Sequence, residues 1–163
     1  MPGLKNSIPQ NKIRCYVLAF SSGATIYPIL EILYRMSTHF TMVLLGGICG
    51  IIIYHTNIAL KDEKLITKAL MSSILITITE FISGVFLNLI LKLNVWDYSV
   101  LPFNLLGQIC PYFSVIWFLI AIPSHKLCDI IDKHLYPNLN GNLFFINHTK
   151  EVESRGKTQK TEK

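Results

Sequence analysis

Apolar residues gather into four long stretches, at about residues 13–33, 40–60, 69–91 and 105–122, with short polar breaks between them. A run of about 20 mostly apolar residues is enough for an α-helix to cross the roughly 30 Å hydrocarbon core of a bilayer. The pattern therefore predicts an all-α fold: a polytopic membrane domain of four transmembrane helices over residues 13–123. Polar, proline-interrupted residues 1–12 precede it as a disordered lead. Pro123 is expected to end the fourth span. Beyond it, Leu127, Ile130, Ile131 and Leu135 form an apolar stripe opposite Lys126, Asp129, Asp132 and Lys133. That spacing predicts an amphipathic interfacial helix over 124–136 on the membrane surface, followed by a polar tail over 137–163.

The polar residues inside these stretches carry the next layer of information. In the first span Gly23, Tyr27, Glu31 and Arg35 recur every fourth position and share one helix face. Glu31 and Arg35 are one turn apart, close enough to pair. The second span contains Gly46, Gly47 and Gly50, and the Gly46–Gly50 spacing lets a neighbouring helix approach closely. In the third span Thr77, Glu80, Gly84 and Asn88 fall on one face. Glu80 lies near its middle, where an acidic residue costs roughly 2.5–3.5 kcal/mol on insertion scales, so it must face protein, water or a partner.

The segment NVWDYSVLPFNLLGQICPYFSVIW, from Asn94 to Trp117, combines aromatic rings with Asp97, Asn104 and Gln108. It is expected to form an interfacial loop that turns inward and becomes the fourth helix. An aromatic belt at headgroup level explains Trp96 and Tyr98, but not Asn104 and Gln108.

Charge supports the membrane assignment. Only 15% of residues are charged, against about a quarter in soluble domains. The net charge of +5 does not point to nucleic acid, because the basic residues flank the apolar stretches instead of forming one patch. Thirteen of the 15 Lys and Arg residues lie in the lead with Arg14 just after it, the second loop and the region after the last span. Arg35 and Lys92 are the exceptions, so both termini are expected to be cytoplasmic in a cell membrane. This topology gathers Glu31, Arg35, Asn88, Asp97, Asn104 and Gln108 in the outer half, with Glu80 beneath them, around an outward-opening polar cavity. Cys15, Cys49, Cys110 and Cys128 show no CxxC spacing, and no zinc pattern is present. His125, Cys128, Asp129 and Asp132 have ligand chemistry, but a solvated helix face accounts for them, and no metal or cofactor is assigned.

Gly23 to Phe40, Gly46 to Cys49, the run Thr79-Glu80-Phe81-Ile82-Ser83-Gly84 with Leu87-Asn88, and the WDYS, PFN and GQIC blocks after Asn94 follow a recognisable order. Over about residues 20–125 the chain resembles the bacterial "putative ABC-transporter type IV" (CmpB-like permease) family, and a small vertebrate group of four-span proteins. Tyr34, Met36 and Phe40 stand where Trp, Gly and Trp are usual, and Pro111 where Leu is common. The resemblance implies a transport subunit. The chain has no GxxxxGK[ST] phosphate loop, so ATP hydrolysis would fall to a separate ATPase subunit. Homo-oligomerisation is expected too, because four spans enclose a narrow pathway.

Two functions follow. One is a permease component that binds a small polar solute or ion through Glu31, Arg35, Glu80, Asn88, Asp97, Asn104 and Gln108, with proton exchange on Glu80 as a coupling step. The other is a non-transporting assembly protein, whose polar residues and glycines Gly23, Gly46, Gly47, Gly50 and Gly84 only specify helix packing. An enzyme is disfavoured, since His39 with Glu31 is the sole acid–base pair and no activated nucleophile accompanies it.

Overall fold

The computed structural model describes residues 10–135, and every regular element among them is helical. α1 runs Gln10–Arg35, α2 Thr41–Ala59, α3 Leu65–Gly84 and α4 Pro111–Leu135. A π-helical turn, Val85–Ile90, extends α3 without a break. Four helices are long and apolar enough to cross a membrane: Ile13–Arg35, Thr41–Ala59, Leu65–Ile90 and Pro111–Ile130. Many large apolar side chains on them point outward, including Val17, Leu33, Leu44, Ile66 and Leu89. A soluble surface rarely carries so much contiguous apolar area. The chain is an all-helical, multi-pass membrane protein.

Local chemistry explains the helix ends. Met36 closes α1 and Lys92 follows the π turn, both in the left-handed region at φ 59° and 55°. Pro111 opens α4, at a position where its missing N–H costs nothing. The fourth helix thus begins later than the expected residue 105. Phe103 and Leu106 take positive φ, and Leu105 pairs with Ile109 as an isolated antiparallel bridge, so residues 103–110 fold as turns.

Pro123 lies inside α4 and does not end it. A separate amphipathic helix over 124–136 is therefore not confirmed. The described residues through Leu127 form one compact unit, and the last described residues of α4, from Cys128, belong to a second. The expected disordered lead ends earlier than residue 12, since residues 10–12 already belong to α1. Residues 1–9 and the expected polar tail over 137–163 fall outside the described residues.

α1 and α2 pack closely through glycine. A Cβ on Gly23 would strike the carbonyl of Gly46, one on Gly46 would meet the Tyr27 side chain and the Gly23 carbonyl, and one on Gly50 would strike the Ala19 carbonyl. Gly47 faces the ring of Phe20 instead. The buried core gathers Met42, Leu45 and Cys49 of α2, Ile76 of α3, and Val95 and Trp96 from the loop after the π turn. That loop is built into the core.

Candidate functional site

The 91–110 loop is held by side chains that apolar spans usually exclude. Asn88, buried in the π turn, donates to the Trp96 carbonyl (3.0 Å) and Gln108 Oε1 (2.8 Å), and accepts from the Val95 N–H (2.6 Å). Gln108 is buried as well, and its Nε2 donates to the Leu106 carbonyl at 2.9 Å. The Trp96 indole returns a bond to the Gln108 carbonyl at 3.0 Å. Gly84 leaves room for this arrangement, since a Cβ there would lie 2.6 Å from Gln108 Oε1.

From α1, Glu31 binds both Arg35 and Thr38, and Arg35 Nη1 donates to the Val95 carbonyl at 2.7 Å. Val95 is thus the junction at which α1 and the π turn grip the backbone of one residue from its two sides. His39 bonds Thr41 (2.9 Å) and is not the partner of Glu31.

Asp97 and Asn104 act within the loop. Asp97 accepts from the Ser99 N–H (2.8 Å) and the Ser99 hydroxyl (3.0 Å). Asn104 donates to the Ser99 and Leu101 carbonyls and accepts from the Gly107 N–H. Gly107 adopts φ +69° with Asp97 Oδ1 only 2.7 Å from where a Cβ would stand, so a side chain there would be strained and would crowd the Asp97 carboxylate.

Glu80 lies under this loop and is 2% exposed. Its Oε1 accepts from the Tyr98 hydroxyl (3.1 Å) and its Oε2 from the Trp117 indole (3.0 Å). The donors come from the loop and from α4, while the carboxyl comes from α3. Trp117 also stacks on Tyr27 at 5.1 Å, and Tyr98 on Phe113 at 4.4 Å, which fixes both rings. Burial pushes the Tyr98 phenol well above its ordinary value, and the adjacent Glu80 carboxyl pushes the same way. Tyr98 is therefore a donor at every physiological pH.

The expected site residues do share one side of the bundle. Glu31 pairs with Arg35 and Asn88 with Gln108. Among the described residues, Asp97 and Asn104 bond only within the loop, and Glu80 binds Tyr98 and Trp117. A groove of about 630 Å³ lies elsewhere, between α3, the loop and α4, and none of the expected solute-contacting residues lines it.

A second polar cluster, at the opposite end of the helices, escaped the sequence patterns. His125, 0% exposed, meets Ser72 Oγ at 3.0 Å through Nε2 and Asn57 Oδ1 at 3.1 Å through Nδ1. Lys68 Nζ donates to the same Asn57 oxygen at 3.4 Å. A tautomer with the proton on Nδ1 satisfies both histidine contacts. His125 is thus a buried tie between α2, α3 and α4, and not part of a solvated face. Asn57 and Ser72 were visible as polar residues inside apolar stretches, but nothing in the spacing pairs them with a residue of another helix.

The family model described as "Putative ABC-transporter type IV" matches residues 18–147. The chain belongs to that family. The match covers all of the loop, Glu80 and the His125 cluster, and the family name is that of a transporter component. No curated protein and no solved structure matches the chain.

Proposed function

We propose that the chain is the membrane-embedded component of a transporter, with Glu80 as its recognition group for a small polar solute or cation. The observation that carries the reading is the carboxyl itself. It is buried in a membrane span, and each oxygen accepts one hydrogen bond among the described residues. A carboxylate offers about four acceptor sites, so capacity remains for a cation or a donor. Its donors belong to the loop and α4, and withdrawal of the loop would exchange the Tyr98 hydroxyl for solute. In this account Glu31, Arg35, Asn88 and Gln108 hold the loop closed, and Asp97 and Asn104 shape its turn. In this reading a separate ATP-hydrolysing subunit drives the cycle, and the distribution of Lys and Arg supports a cytoplasmic side for both termini.

A second reading rests on the internal bonding of the same network: the polar residues fix helix and loop packing, and the protein assembles with partners without transporting. Thermal stability in detergent, scanned against sodium, potassium and small polar solutes, separates the two. The transport reading expects a ligand that raises the wild-type melting temperature and has no effect on Glu80→Gln, which still folds. Equal responses of the two proteins would contradict it.

A further inference from the structure

The groove between α3, the loop and α4 has its own chemistry and shares no residue with the Glu80 cluster. On α3, Leu70, Ile74 and Ile78 form an i, i+4 ridge about 12 Å long. Val115 and Phe118 line it from α4, and Phe103 lines it from the loop. Leu70, Ile74, Ile78 and Val115 are all exposed, and Phe103 is 89% exposed. Three hydroxyls reach the groove, and each is engaged inside the protein. Ser73 donates to the Ser114 carbonyl (2.7 Å), Thr77 to the Ser114 hydroxyl (3.0 Å), and Ser114 to the Cys110 carbonyl (3.4 Å). Binding sites for polar ligands of this size place a few polar groups to orient the ligand. This groove presents none of its hydroxyl hydrogens to an occupant.

Both walls are candidate membrane spans, and Phe103 belongs to the loop that joins them on one side of the bilayer. We propose that the groove is a lipid site, holding one acyl chain of a phospholipid from the leaflet on the loop's side. The hydrocarbon lies along the α3 ridge, and Phe103 packs against its upper part near the headgroup. A chain held there fills the wedge between α3 and α4 and covers apolar side chains that helix packing leaves bare.

The test uses the full-length protein in nanodiscs containing phosphatidylcholine with a photoreactive diazirine on one acyl chain. Cross-linked positions are mapped by mass spectrometry. Labelling within residues 74–78 and 115–118 is expected to exceed, several-fold, that of other exposed apolar positions such as Ile13 and Leu33. Val115→Trp and Ile74→Trp, which fill the groove from opposite walls, should each reduce groove labelling to the reference level and leave the references unchanged. Uniform labelling of the wild-type protein would overturn the proposal, whatever the variants do. Cross-links from these positions to a second copy of the chain would overturn it as well, by assigning the groove to a protein contact.

Discussion

Glu80 accepts from one hydroxyl and one indole, and the two donors differ in what they tolerate. A tyrosine hydroxyl both donates and accepts, whereas an indole N–H only donates. In Glu80→Gln the amide oxygen can therefore serve Trp117 while the amide nitrogen donates to Tyr98. That variant is expected to lose less than about 1.5 kcal/mol. Glu80→Leu leaves both donors without a partner, at about 1–3 kcal/mol each. Chemical denaturation of the purified variants gives the order, and equal losses would show that the two bonds do not matter to the fold. Tyr98 offers an independent check. Ordinary tyrosines ionise near pH 10, whereas Tyr98 is raised by burial. Its contribution to stability is complete below that pH and is lost as pH rises above it, because the unfolded chain ionises first. Tyr98→Phe should leave the tyrosinate signal of the folded protein near pH 10 unchanged. A fall by one tyrosine's share would mean that Tyr98 is not buried as described.

At the scale of elements, two devices set the architecture: the glycine contact between α1 and α2, and the asparagine clasp between the π turn and the loop. Gly23→Ala and Gly46→Ala each insert a methyl group against backbone or the root of the Tyr27 side chain, where overpacking costs about 1–3 kcal/mol. Gly47→Ala should cost less, since it meets only the movable ring of Phe20. Asn88→Ala removes three bonds that fix residues 95, 96 and 108. Amide hydrogen exchange over residues 94–110 is expected to accelerate in that variant, with α1 and α2 unaffected. Unchanged exchange would contradict the clasp. The four spans and the glycine face were legible because apolar length and i, i+4 spacing are local properties. Gln108 and Asn104 stand out as misplaced polar residues, yet the apolar pattern sets them at the start of the fourth span. Their true role depends on left-handed backbone at Phe103 and Leu106, which neither side chain advertises. The partners of Glu80 lie 18 and 37 residues away, and those of His125 53 and 68 residues away, beyond any periodicity.

For the whole molecule, family membership and four apolar helices establish a membrane protein named for transport. The further claim, that this chain works as a transporter component, depends on a partner that hydrolyses ATP. The most direct measurement is co-purification of the tagged, detergent-solubilised protein from its native membrane, with mass spectrometry of what accompanies it. The account predicts an ATPase in stoichiometric amount, lost when the short charged turn after α2, around Lys61 and Lys64, is mutated. Recovery of the chain alone or as a homo-oligomer, with no ATPase, would contradict it.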